Sequence, residues 1–368
     1  MSSFRALLLA AVVMAVALAS CGAPGASDVD PTGGAAGEPE SAEPEVARAD
    51  ADQQPDQQPD RDPEGDPDEV AAGSDGPRAT APEAGHAPAP EPVAAFELSP
   101  DEMLPDAKRL AADVVQTLLT YEPQDTAGEI AGRVAGDDRA LGLVVAAAPL
   151  LHAGAWSRGE IVYPQLGGFT DTAASVMVVA RQTIGLPDGE VRDTTRTLDV
   201  RLAVEDDEWV FDALASAGGR AIDRPHDLSE AAIAVVDDDR IELPDTARWD
   251  IYRGVIEEPM LELMALMAER TEYGVIVLDT GHPWEVFGTD RQSRHSLGRA
   301  IDLYRLDGPN VIDDRDKGSD THAFMEWLYD QPEMTNMGGP WALDDFGGRS
   351  FSDDLHQDHL HIESAAGD

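Results

Sequence analysis

The sequence predicts an α+β protein in two folded parts behind a long segment with no capacity to fold. Three observations carry that reading. Apolar residues at Leu104, Ala107, Leu110, Ala111, Val114, Val115 and Leu118 recur at helical spacing. Four later stretches, "EIVYPQLGGF", "TAASVMVVARQTI", "RTLDVRLAVEDD" and "EWVFDAL", have the β-branched and aromatic content of strands. Residues 21–95, by contrast, are Pro, Gly, Ala, Asp and Glu with almost no large apolar side chain.

The chain begins "MSSFRALLLAAVVMAVALASCGAPG", with Arg5 ahead of an apolar run. At about a dozen residues that run is short for a membrane helix and has the shape of a secretory signal over residues 1–20. Leu18-Ala19-Ser20-Cys21 resembles the bacterial lipobox, which implies a lipid on Cys21 and an extracytoplasmic protein held to the cell membrane by that lipid alone. Cys21 is the only cysteine, so no intrachain disulfide is expected, and any zinc site must be built from His, Asp and Glu. Residues 21–95 cannot bury enough surface to offset chain entropy and read as a disordered acidic tether. The formal net charge of −46 excludes nucleic acid as a direct partner.

From residue 96 each element has its own signal. A Ser-Pro and acidic first turn opens the helix that carries the apolar stripe above; two more helices are expected near 126–135 and 138–152. The four strands follow, with "LPDGE" (186–190) as a turn between two of them. Helices leading into a twisted antiparallel sheet resemble the NTF2-like domain, here over residues 96–216, on element order alone. No polar constellation stands out in it, so a structural or spacer role is expected. Residues 217–244 are polar and irregular and read as a linker. In the last part, 245–368, "EEPMLELMALMAERT" (257–271) is a helix whose methionines fill a core, and "YGVIVLD" (273–279) is a buried strand. "GSDTHAFMEWLYDQ" (318–331) is a capped helix, and "DHLHIE" alternates as a strand. A few helices against a short antiparallel sheet are expected.

Chemistry concentrates in two stretches of that last part. "SRHSLGRAID" (293–302) holds His295 and Asp302 with Gly298 between them, and "HQDHLHIE" (356–363) holds three of the nine histidines. On one continuous strand positions 295 and 302 would face opposite ways, so they converge only if the chain bends, and Gly298 offers the place. His359 and His361 are two apart and share a face, so one could bind metal while the other reaches the reacting group. His86, His152, His226 and His322 read as ordinary surface or core residues.

Ser293 to Asp302 matches the S-x-H-x-x-G-x-A-x-D motif of the D-alanyl-D-alanine carboxypeptidase group of zinc peptidases, which share a fold with the hedgehog signalling domain. The resemblance covers roughly residues 245–364. It implies one zinc ion on His295, Asp302 and His361. It further implies Asp358 as the general base and His359 as the non-ligand histidine that stabilises the oxyanion. Ser293, His282 and His356 are candidate substrate contacts. The chain departs from the pattern where the peptidases present a substrate-binding arginine: "LDTGHPWEVFGTDRQ" has His282 there, with Arg291 and Arg294 as possible substitutes.

The resemblance and the inferred location together imply a lipid-anchored zinc peptidase acting on peptidoglycan stem peptides, as a D,D-carboxypeptidase or an endopeptidase. The alternative is a non-catalytic, zinc-containing lipoprotein that binds the cell wall or a partner.

Overall fold

The computed structural model describes residues 88–345 and 347–367, without the side chains of residues 137 and 138. The expected signal segment, the lipidation position Cys21, His86 and nearly all of the tether lie outside the described residues. Among the described residues no helix is long and apolar enough to cross a membrane.

Three helices come first: α1 (Pro105–Leu119), α2 (Ala127–Val134) and α3 (Asp137–Ala146). The first helix starts later than expected: Pro105, not Ser99-Pro100, stands in the first turn of α1, and Leu104 precedes it in a left-handed conformation at φ 46°, while Thr126 with Glu129 forms a reciprocal capping box on α2. The strands β1 (Trp156–Phe169), β2 (Ala173–Gly185), β3 (Val191–Glu205) and β4 (Glu208–Ser216) then pair antiparallel in chain order. The turn at residues 186–190 is closed by Leu186 N–H donating to the Glu190 carbonyl at 2.8 Å. One face of this sheet buries Leu166, Val176, Val178, Leu198 and Val200 against Ala107, Ala111, Val115 and Leu118 of α1.

The second sheet is mixed, in the order β5-β6-β7-β10-β8-β9. Its strands are β5 (Ile241–Glu242), β6 (Tyr273–Val277), β7 (Ala300–Leu306), β8 (Met334–Gly338), β9 (Ser350–Phe351) and β10 (Leu360–Ser364). The four inner strands pair antiparallel as expected, whereas the two-residue edge strands β5 and β9 pair parallel to their neighbours. Such short edge strands carry too little pattern to be seen in the sequence. The helices α4 (Glu230–Val236), α5 (Asp245–Tyr252), α6 (Glu258–Arg270) and α7 (Asp320–Tyr329) belong to this half. Met260, Met264 and Met267 of α6 fill its core, as the helical spacing predicts. The stretch read as a linker is only partly irregular: α4 and β5 lie in it, and Ala232, Val235, Val236 and Ile241 enter the same core as α6.

A third apolar cluster joins the halves. Tyr163, Met177 and Val179, on the face of the first sheet away from α1, pack on Ile276, Val277, Tyr304 and Ile312. The rings of Tyr163 and Tyr304 stack with centroids 5.4 Å apart. The seam thus lies beside β6 and β7, the strands on either side of the first histidine-bearing stretch in the chain, and β7 pairs with β10, which carries the end of the second.

Candidate metal centre

After Ser293 the chain makes a short 3-10 turn over His295–Leu297 and leaves it through Gly298 at φ 68°. A side chain at 298 would overlap the carbonyl oxygen of Val255, so both the left-handed backbone and the close approach require glycine. The bend expected at Gly298 is therefore present, and it delivers Asp302 two residues into β7. On the neighbouring strand β10, His361 lies directly across from Asp302 in the antiparallel register.

These elements bring three donor atoms together. His295 Nε2 lies 3.2 Å from Asp302 Oδ1 and 3.2 Å from His361 Nδ1, and the His361 and Asp302 atoms are 2.9 Å apart. The outer nitrogen of each ring has its own acceptor: His295 Nδ1 donates to the Leu278 carbonyl at 2.7 Å, and His361 Nε2 faces Glu363 Oε1 at 3.3 Å. Since a carbonyl can only accept, the proton of His295 sits on Nδ1 and the Nε2 lone pair faces inward. Outer-ring hydrogen bonds of this kind fix tautomer and aim in metal-ligating histidines.

The donor set fits a metal ion. Bonds of about 2.0–2.1 Å in a tetrahedral site imply ligand atoms about 3.3 Å apart, close to the near-equilateral triangle found here. Electrostatics agree. Burial opposes charge on His361, yet its bonds to Asp302 and Glu363 raise its pKa to about 9. Asp302 is fully buried, which would raise its carboxyl, but its electrostatic contacts with the His295 and His359 rings and its hydrogen bonds to His295 and His361 hold it well below the usual range. The centre of the triangle is a place where positive charge is favoured.

His282, His295 and Asp302 also form a group that could hold a metal ion, each offering one ligand atom within 4.8 Å of the others. The His282 ring, however, stacks on His295 with centroids 4.0 Å apart and planes 15° from parallel. Imidazole lone pairs lie in their ring planes, and two stacked planes do not meet at one ion. His282 Nδ1 donates to the Pro283 carbonyl at 2.7 Å, while burial and the neighbouring His295 push its pKa well down.

Two further histidines face the centre from the chain before β10. His359 Nε2 lies 3.9 Å from Asp302 Oδ2, and its Nδ1 is 2.5 Å from Asp358 Oδ1. The other oxygen of Asp358 is taken by the ammonium of Lys108, which also bonds Glu102. Asp358 therefore stands behind His359 and is absent from the cavity wall, with neither oxygen turned to the donor triangle. With both Asp358 oxygens occupied, the expected direct proton transfer from water to Asp358 does not fit this geometry, and His359, expected at the oxyanion, is the group that stands in front of it. His356 is held through Nδ1 by Asp353 Oδ1 at 2.6 Å, and the buried Ser293 accepts from His295 N–H through its Oγ at 3.3 Å.

In front of the triangle is a cavity of about 810 Å³, lined by Ser293, His282, His356, His359, Asp302 and His361 from the second half. Leu166 to Phe169 and Met177 of the first sheet form the opposite wall. His152, His226 and His322 take no part in it.

Two contributors were missed by the sequence reading because they come from the half read as a spacer. Lys108 lies on α1, in the same helical stripe as Ala111, Val115 and Leu118, and its side chain is 0% exposed. A lysine inside an apolar stripe, in a chain with one other lysine, was the available signal. Gln165 of β1 donates through Nε2 to Asp302 Oδ2 at 2.6 Å, and nothing in the local pattern marks it. No protein-family model, curated protein or solved structure matches the chain.

Proposed function

We propose that this chain is an extracytoplasmic zinc metallopeptidase that cleaves peptidoglycan stem peptides, with one zinc ion on His295, Asp302 and His361. The observation that carries the proposal is the triangle of donor atoms with each histidine's outer nitrogen tied to its own acceptor. The S-x-H-x-x-G-x-A-x-D pattern, the adjoining cavity and the lipobox-like Leu-Ala-Ser-Cys at residues 18–21 support the same reading. In it, a lipid on Cys21 holds the chain to the outer face of the cell membrane, near its substrate.

A zinc ion held there would supply a bound water of lowered pKa and a Lewis acid for the scissile carbonyl. His359 accepts the proton of the attacking water at Nε2, because its Nδ1 proton is already committed to Asp358. Asp358, ionised and held by Lys108, stabilises the imidazolium that results and keeps the ring aimed. His359 then returns the proton to the leaving amine. His282 stacks on His295 and limits where that ligand ring can turn. His356, anchored by Asp353, borders the cavity as a substrate contact. Arg294 pairs with Glu363 at 3.3 Å, whereas Arg291 lines the cavity with no ion pair among the described residues. Arg291 is therefore the better partner for a substrate carboxylate.

A second reading, a zinc-containing module that binds the wall or a partner without cutting it, draws on the group that includes His282. A fourth protein ligand would close the site and leave no position for water. The stacking of His282 on His295 speaks against that closure.

The test is to incubate the protein with purified peptidoglycan and zinc, beside Asp358→Ala and His361→Ala, and to identify released fragments by mass spectrometry. Fragments from the unmutated chain alone name the bond cleaved. No fragments from several wall chemistries, with zinc still bound, would refute the peptidase reading.

A further inference from the structure

Asp302 has two oxygens and uses them differently. Oδ1 faces His295 and His361, while Oδ2 accepts from Gln165 Nε2 at 2.6 Å. A carboxylate can only accept, so the amide nitrogen of Gln165 is the atom that faces it. Gln165 is fully buried, and its Oε1 has no hydrogen-bond partner. An unmet buried acceptor is costly, and a glutamine there solely to fill space would be better replaced by an apolar side chain of the same length. The residue belongs to β1, across the seam from the donor triangle, so its contact depends on how the two halves pack. Lys108, from the same half, reaches Asp358 in the same way.

We propose that Gln165 is a positioning residue of the metal centre: by holding Oδ2 of Asp302 it leaves one oxygen for the ion, which makes the first half a part of the site. This inference rests on the reading of His295, Asp302 and His361 as a metal site. A carboxylate free at both oxygens can rotate or chelate with both, which changes the number of ligands and the room left for water. With Oδ2 occupied, Asp302 presents a single donor in a fixed direction, the condition under which the triangle keeps its shape. Outer contacts of this type are worth about 10–100-fold in metal affinity.

The experiment uses the full chain and its Gln165→Met, Gln165→Asn and His361→Ala variants. Methionine keeps the length without the donor, and asparagine keeps the amide but withdraws it by one methylene. Zn2+ affinity is measured by competition with a chromophoric chelator, and the Co2+-loaded proteins are compared by visible absorption, at a temperature where circular dichroism shows each variant folded. The expected result is one zinc bound to the unmutated chain and none to His361→Ala. Whichever Gln165 variants fold should bind zinc about 10–100-fold more weakly, with an altered cobalt spectrum. A packing role alone would lower the melting temperature and leave both metal readouts unchanged, and that result overturns the inference. An unmutated chain that binds no zinc overturns the metal reading itself.

Discussion

Replacing Asp358 by asparagine isolates the buried pair behind His359 from everything the metal does. Burial pushes the Asp358 carboxyl up, but the Lys108 ammonium and His359 pull it down further, from 3.8 to about 2. That fall corresponds to about 2.4 kcal/mol in favour of the ionised form. Asparagine keeps the shape and loses the charge. Removing one partner of a buried pair commonly costs about 3–5 kcal/mol because the other is stranded. Here Lys108 is not stranded, since Glu102 remains bonded to it. The Glu102 carboxyl is raised by burial and, in smaller part, by the charge of Asp358, so neutralising Asp358 eases its ionisation. The net loss expected for Asp358→Asn is therefore about 2 kcal/mol at pH 7, or about 4–8 °C in melting temperature. The sign of the pH dependence follows from the depressed value. The contribution is present above 3.8, the unfolded value, and is lost as pH falls through about 2. Urea unfolding of both metal-free proteins at pH 7, 4 and 2.5 should show the gap closing between the last two. Equal stability at pH 7, or a gap that persists unchanged to the lowest pH, would refute the pairing.

Three other expectations can be checked separately. His361→Ala should reduce bound zinc from one per chain to none by elemental analysis, while Asp358→Ala keeps it. Gly298→Ala forces a left-handed backbone worth about 1–2 kcal/mol, with an added overlap on the Val255 carbonyl, so unfolding free energy should drop by at least about 2 kcal/mol and zinc affinity should fall with it. Arg291→Ala should raise KM about tenfold for peptides ending in a free carboxylate and leave kcat and amidated peptides nearly unchanged; an unchanged KM would remove Arg291 from substrate binding.

Much of this arrangement was legible because it depends on local pattern. The α1 stripe, the four long strands of the first sheet and the α6 methionines follow from periodicity alone. The convergence of His295 and Asp302 was legible from parity: an odd separation on extended chain needs a bend, and Gly298 supplies it at φ 68°. Pairing was not. Nothing local says that His361 lies across from Asp302, or that α4 and β5 join the second core. Least legible were Lys108 and Gln165, whose partners are 250 and 137 residues away and whose meaning exists only once the sheets meet. The same packing moves Asp358 behind His359, a distinction that a three-residue spacing cannot express.

The seam between the two sheets has a thermodynamic consequence. Since each side of it supplies one wall of the cavity, and Gln165 bonds Asp302 across it, an ion that binds only when the two layers are packed together stabilises that packing by RT ln(1 + [ion]/Kd). Zinc would then act as a rivet between two layers that otherwise adhere through Tyr163, Tyr304 and their apolar neighbours. The amides of β1 around Gln165, on the half that holds none of the proposed ligands, should exchange with solvent more slowly when zinc is present. Availability of the metal would thereby set how long the whole folded unit survives proteolysis, in addition to any chemistry it performs.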